Sequence, residues 1–486
     1  MAFAKSARPK SAATEWLVMQ TTRTGMIAFA LSFVSSTLVF AGSLELGNQA
    51  FKKGDFIEAA KLYRDAGEQG NADALNALAL LYLNGKGVTQ DNSEAAKWFS
   101  KAAEFGNSDA QYHLGKMYKY GHGVSPDETR AVDLLRKSAE RGNSDGQLEL
   151  SMTLTQKLSI MQGDDEAVKW LQKSAEQNNA LAQFLLALSY LEGRNTPHNN
   201  AEALKLLHKA AEQGLPSAQV KLGDMYKNGS EVAQNYEEAI KWYRKAAEQK
   251  DNNGQFHLGE MYVEGLGVTR DDNEGIKLYR MAAEQGHQDA QTHLGLMYSQ
   301  GLGVKQDYTE SIKWLLMAAA KGNANAQFIL GTELLAGHDG PHDKSEALKW
   351  ITQAADQGLA QAQVSLGSLY MAGFGVTQDY SQALKWYLKA AEHDLNLATI
   401  VAWSKLGKMY KEGLGVEIDY SKAEKWLRKA AEHEVPDSLY NLGLLYENGQ
   451  GVVKDHVEAI KWLRRAAEQG YLDAKNKLKA DGILVE

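Results

Sequence analysis

Within six positions the sequence places His338, Asp339, His342 and Asp343, in the stretch GHDGPHDK, and imidazoles and carboxylates this close together could ligate a divalent cation. A second stretch, GEMYVEGLGVTRDD at residues 259–272, sets a glycine-spaced turn before two Asp, as a loop cradling a phosphate or an ion would. Three further imidazoles, His113, His257 and His293, hold one and the same place in three related segments.

Counting copies dissolves most of this chemistry. The pair G-x-G-V recurs at Gly85/Gly87, Gly121/Gly123, Gly265/Gly267, Gly301/Gly303, Gly373/Gly375, Gly413/Gly415 and Gly449/Gly451. Each copy comes directly after a helical pattern, whereas a phosphate loop follows a strand and is usually trailed by Lys. The first glycine is expected as a left-handed helix C-cap and the second as a turn residue, with Val268 and its equivalents plugging the hairpin base. Equivalent positions in stacked helices lie about 10 Å apart, so His257 and His293 do not share a metal ion. They and His113 are expected on a binding face, as contacts for a partner. Asp343 reads as a helix start with Glu346, and no metal and no cofactor are expected. No G-x-S-x-G or H-E-x-x-H occurs, and with no cysteine there is no thiolate site or disulfide, so no catalytic residue is expected.

The elements behind these residues are copies of one unit. The tail AAEQG or its variant ends at Gly70, Gly106, Gly142, Asn178, Gly214, Lys250, Gly286, Gly322, Gly358 and Asp394, at intervals of 36 residues, and two more copies end at Glu434 and Gly470. Ala290, Leu294, Gly295 and Tyr298 fall on one face of a first helix. Ala239, Trp242, Tyr243, Ala246 and Ala247 make the stripe of a second helix whose wet side carries Lys241, Arg244, Lys245 and Glu248. Asp91, Asp271, Asp307, Asp343 and Asp455, each with Glu three residues on, have the form of a capping box at the start of the second helix. One hairpin cannot bury its own stripe, so neighbours must stack, and the fold class is all-α, an α/α solenoid wound as a right-handed superhelix whose first helices line the concave side. The Trp column, Trp98 through Trp462, is expected in the core.

The pattern A-x-x-x-L-G-x-M-Y, then G-x-G-V, then D-Y-x-x-A-x-K-W-Y-x-K-A-A-E-Q-G resembles the Sel1-like repeat. On that resemblance residues 71–470 hold eleven Sel1-like units, residues 44–70 form a first unit similar to the related tetratricopeptide repeat, and residues 471–486 form a capping segment where Lys475, Lys477 and Lys479 replace the apolar pattern. The resemblance implies a scaffold that assembles protein complexes. In bacteria such proteins are often exported and act in the envelope or on a host.

Residues 1–41 carry Lys5, Arg8, Lys10 and Arg23 against Glu15, a net +3, so the remainder carries −11 of a total of −8. Such an acidic surface disfavours nucleic acid and anionic lipid as partners. The uncharged run IAFALSFVSSTLVFAGS at residues 27–43 ends in small residues, as a signal peptide does, and cleavage is expected after Ala41. The alternative is an uncleaved N-terminal anchor in the inner membrane.

Departures from the repeat are where function would concentrate. In DLNLATIVAWSKLGKMY, residues 394–410, the unit is four residues too long and carries Leu397, Ile400 and Trp403, the last in a place held by Gln in eight consecutive units, Gln111 to Gln363. Either an extra turn folds against its neighbour or it projects as a partner-binding site. Four units have also lost the glycine pair, near residues 155–165, 192–200, 228–235 and 337–344. The functional expectation is an exported adaptor, periplasmic or secreted, that binds a partner protein along the concave face. The alternatives are a secreted factor bound to a host protein and an envelope-acting hydrolase.

Overall fold

The computed structural model describes residues 42–157, 165–193, 196–338 and 344–483. Every regular element among them is helical, and the chain forms two compact units, one ending at Leu222 and the other beginning at Gly223. Each is a stack of antiparallel helix pairs, as the repeat demands. The expected signal segment, the centre of the 155–165 loop and the metal-like residues Asp339, His342 and Asp343 lie outside the described residues.

The pair formed by Asn252–Glu264 and Asp272–Glu284 shows why the unit folds as it does. Asp251 opens the first helix by accepting from Gly254 N, and Gly265 closes it at φ 68° with its N–H on Met261 O. Asp271 opens the second by accepting from the N–H groups of Asn273 and Glu274. Between the two helices Gly259 gives way to the Tyr279 ring, since a Cβ there would stand 2.8 Å from Tyr279 Cδ1. Tyr279, Ala282 and Ala283 are buried with Ala290 and Leu294 of the next pair, so the stripe that one hairpin exposes is covered by its neighbour.

The Asp caps stand, but the reciprocal half of the box does not form. Glu94, Glu274, Glu310 and Glu458 turn outward to pair with Lys97, Lys277, Lys313 and Lys461. The physical reason is that the cap's own N–H is already taken: Asp91, Asp271, Asp307 and Asp455 N donate to the carbonyls of Tyr82, Tyr262, Tyr298 and Tyr446, latching each hairpin shut.

The first glycine of each G-x-G-V is the expected left-handed C-cap. The second, also left-handed, does more than turn the chain. It seats against the start of the preceding pair's second helix, where a Cβ on Gly267 would lie 2.6 Å from Tyr236 Cβ and one on Gly451 would lie 2.4 Å from the Tyr420 carbonyl. Where the pair has decayed, the conformation persists: Gly193, Gly229 and Gly337 remain left-handed caps, and Glu231 takes the second place at φ 65°. Val88, Val124, Val304, Val416 and Val452 pack into the adjoining cores.

Polar rungs register one pair on the next. The buried glutamine of the first helix donates Nε2 to the last carbonyls of the preceding second helix, as Gln183 does to Ala175 O at 3.1 Å and Gln327 to Ala319 O at 3.1 Å. In several pairs its Oε1 accepts from a side chain thirty residues on: Gln177 reaches Gln147 at 2.8 Å, Gln213 reaches Gln183 at 2.7 Å, and Gln285 reaches Gln255 at 2.7 Å, whereas Gln111 and Gln291 Oε1 are buried without such a partner. A second set of rungs joins Asn107, Asn143, Asn179 and Asn323 to Asp73, Asp109, Asp145 and Asp289. A buried amide left unpaired costs about 1–3 kcal/mol, so these rungs penalise any other register.

Candidate functional site

Beside the charged outer sides of the second helices, the surface includes the outer side of the first helices. In Asn252–Glu264 the residues Gly254, Gln255, Leu258, Gly259 and Met261 are buried, while His257 and Glu260 are only half-buried and Glu264 is exposed. The equivalents of His257 and Glu260 change chemistry from pair to pair. They run His113 and Lys116, Glu149 and Met152, Leu185 and Leu188, Lys221 and Asp224, then His293 and Leu296, Ile329 and Thr332, Ser365 and Ser368, Lys405 and Lys408, Asn441 and Leu444.

His113, half-buried, stacks on Phe99 with ring centroids 5.0 Å apart, and that burial lowers its pKa. His257 stacks on Tyr243 at 5.2 Å, and its Nδ1 lies 2.8 Å from Glu260 Oε2. Lys227 Nζ donates to the same Glu260 oxygen at 3.1 Å, and Tyr243 OH donates to Asp224 Oδ1 at 2.8 Å. Burial pushes the Glu260 carboxyl up, but the bonds from His257 and Lys227 outweigh it and hold the group below its ordinary range. Burial, followed by the Asp224 charge, raises the Tyr243 phenol far above its ordinary value. His293 is exposed, with its ring 5.5 Å from Tyr279 and 5.5 Å from Phe256. Phe256 also contacts His257 at 5.1 Å and stacks on His287 at 4.6 Å. The structure therefore joins His257 and His293 through one phenyl ring and leaves His113 in the other unit. The joined group is a hydrogen-bonded, aromatic cluster on the first helices.

His287 was not singled out by its sequence position. It caps the helix Gln288–Gln300 through Nδ1, which accepts from Ala290 N, in the place where other pairs use Asn. Its Nε2 lies 3.2 Å from Asn253 Oδ1, so it also serves as a rung.

The long unit extends its first helix to Leu397–Glu412, 16 residues against 13 in Pro436–Asn448. Asn396 caps the added turn by accepting from Thr399 N, and Thr399 Oγ1 donates to Asp394 O at 3.0 Å. Ala398, Thr399 and Ala402 are buried, Ile400 is half-buried and Leu397 is 78% exposed. Trp403 is half-buried. Lys429 Nζ lies 5.0 Å from the centre of its ring and His433 6.0 Å away, so an indole facing an imidazole replaces the glutamine rung that ends one unit earlier, where His393 Nε2 meets Gln363 Oε1 at 3.0 Å. In the 337–344 loop, His338 stacks on Tyr308 at 4.3 Å.

The Trp column is buried or half-buried throughout, with Trp314, Trp386 and Trp462 between 5% and 7% exposed. A recurring partner is the Lys three residues on, whose ammonium lies over the ring at 4.3 Å in Lys101–Trp98 and 4.1 Å in Lys389–Trp386.

No curated protein matches the sequence. Among solved structures, the crystal structure of c5321, a protective antigen of uropathogenic Escherichia coli strains with an SLR fold, is 31% identical. That similarity spans 90% of this chain and 94% of that one, with a TM-score of 0.70. A Sel1 repeat protein from Oxalobacter formigenes is 28% identical over 72% of this chain and 89% of its own, with a TM-score of 0.37. The Sel1 repeat family model matches twelve segments from residue 42 to residue 471, among them 42–71 and 404–434. Helix pairs of constant spacing, left-handed glycine caps and that run of matches agree on one conclusion: the chain belongs to the Sel1 repeat family.

Proposed function

We propose that the chain is an exported adaptor that binds a partner protein along the face built by its first helices and performs no catalysis of its own. One observation carries this reading. The buried places of the first helix repeat the same residue types from pair to pair, while the half-buried or exposed places beside them hold His, Leu, Ile, Ser and Lys in turn. A scaffold that fixes its frame and varies its open side presents a surface suited to one particular partner. The relative c5321 is described as a protective antigen, which supports export here, as does the layout of residues 1–41.

Crosslinking in the native envelope followed by capture tests the adaptor reading. Wild type is expected to hold a defined partner whose yield drops when His257 and His293 are replaced by Glu in a protein that stays folded. Equal yield from both proteins counts against the first-helix face. Fractionation with N-terminal sequencing tests export: a periplasmic or secreted protein beginning at Gly42 is expected, and a full-length chain in the inner membrane supports an uncleaved anchor instead.

A further inference from the structure

Among the described residues, four joints between neighbouring first helices carry a long polar side chain from the last turn of one helix to the next. In three of them opposite charges meet: Lys119 Nζ with Glu149 Oε1 at 2.8 Å, Lys227 Nζ with Glu260 Oε2 at 3.1 Å, and Glu447 Oε1 with Lys477 Nζ at 2.6 Å. In the fourth, Lys411 stands in the place of Lys119 and Asn441 in the place of Glu149, so the half-buried ammonium donates to an amide oxygen, Asn441 Oδ1, at 2.5 Å. The amide brings no countercharge, and its Nδ2 is committed to Asp437 O at 2.7 Å. Burial lowers the Lys411 pKa, Glu412 and Asp437 oppose that, and Lys408 adds to it.

Two more cations stand on the same helix. Lys405 and Lys408 are exposed and have no ion-pair or hydrogen-bond partner among the described residues. Four lysines of the second helices differ, since Lys241, Lys277, Lys313 and Lys461 each pair with the Glu three residues earlier. A chain of net charge −8 thus keeps three ammonium groups along one first helix with no carboxylate bonded to them, two exposed and one half-buried.

We propose that Lys405, Lys408 and Lys411 form a docking site for an acidic segment of a protein partner. The inference rests on reading the first-helix face as the partner surface, and it specifies the partner's chemistry there. Six residues of helix rise about 9 Å, the length of about three residues of extended peptide, so two or three adjacent side-chain carboxylates match the three ammonium groups. A carboxylate reaching Lys411 restores the countercharge that the other three joints contain. Glu412 and Asp437 flank the lysines and limit the anion to a short stretch. A nucleic acid strand, carrying charge continuously into an acidic surface, fits less well.

The test uses the full-length protein and a fluorescent Gly-Glu-Glu-Glu-Gly peptide, with Gly-Lys-Lys-Lys-Gly as the opposite-charge control. Binding of the acidic peptide is expected to weaken with added salt. It should fall about tenfold or more in Lys405→Glu/Lys408→Glu and less in Lys405→Gln/Lys408→Gln, a pair of exposed changes that leaves the fold alone. Lys461→Glu should leave it unchanged. Equal binding by the charge-reversed variant overturns the proposal, and so does displacement of the peptide by inorganic phosphate or oligothymidylate at lower concentrations than free acidic peptide requires. In the native envelope, a captured partner whose crosslinked segment is acidic and whose yield drops in the charge-reversed variant supports the site. Equal capture by variant and wild type overturns the site and leaves the adaptor reading standing.

Discussion

Replacing Gly267 by Ala should destabilise the stack more than replacing Gly265, two residues away in the same turn. Both residues are left-handed, at φ 68° for Gly265 and 70° for Gly267, so each variant incurs the same cost of about 1–2 kcal/mol for placing an L side chain there. The surroundings then separate them. A Cβ at Gly265 meets Arg270 Cβ at 3.2 Å, a side chain that gives way by a few tenths of an ångström. At Gly267 it meets Tyr236 Cβ at 2.6 Å and the Tyr236 carbonyl carbon at 3.0 Å, at the start of a helix held from both sides. Overpacking of that kind adds about 1–3 kcal/mol, for a total of about 2–5 kcal/mol at Gly267. Long repeat arrays unfold in parts, so native-state hydrogen exchange is the appropriate readout. Amides of Tyr236–Glu248 and Asp272–Glu284 should exchange faster in Gly267→Ala than in Gly265→Ala by about 5- to 150-fold, at tenfold per 1.4 kcal/mol. Equal exchange in the two variants would refute the seating of the second glycine against the preceding pair.

Three further outcomes follow from other contacts. Lys250, left-handed at φ 64° where most tails have Gly, should yield a protein more stable by about 1 kcal/mol as Lys250→Gly, seen as a higher melting temperature. Burial against Phe256 is the main cause that lowers the His287 pKa; His257 lowers it further, while Asp289, Asp251 and Glu260 oppose it. The folded state thus holds His287 neutral, its stabilising cap is fully present above the ordinary His value of about 6.5, and it is lost as pH falls from there toward the lower folded value. His287→Asn, which keeps a capping acceptor, should flatten that part of the pH–stability profile, and an unchanged profile would count against the assignment. Glu149, 5% exposed, accepts from Lys119 and Tyr120, and Glu149→Ala should cost about 3 kcal/mol, with Glu149→Gln costing less because it retains an acceptor.

The parts of this fold that could be read from the residues are those governed by local rules. The 36-residue interval, the Asp caps, the left-handed first glycine and the Val plug each depend on neighbours a few positions away, and the structure has them where the pattern places them. What stayed hidden depends on partners about one repeat distant. The second glycine is needed because of Tyr236, thirty-one positions earlier, and the eight glutamines read as a mere column until the thirty-residue rungs that several of them make are seen. The box failed for a nearer reason, since the Asp271 N–H is spent on Tyr262 O nine residues back across the turn. At the site, His113, His257 and His293 share a place in the repeat, yet only the latter two meet one ring, because Phe256 is a residue of their own neighbourhood and not of the repeat. The Lys411–Asn441 mismatch was recoverable by comparing the last turn of each first helix with the middle of the next.

The thirty-residue glutamine rung has a consequence for how such a chain can change length. Where the rung forms, a glutamine is satisfied by the copy that follows it, so duplicating or deleting a whole 36-residue unit there keeps each donor supplied with an acceptor, and that stretch of the stack behaves as a ruler graduated in helix pairs. Four extra residues break that graduation, and at the place where they occur the rung is an indole facing an imidazole. Growth by whole copies is neutral to the frame, whereas a fractional insertion leaves a permanent mark at which two lengths of ruler were joined.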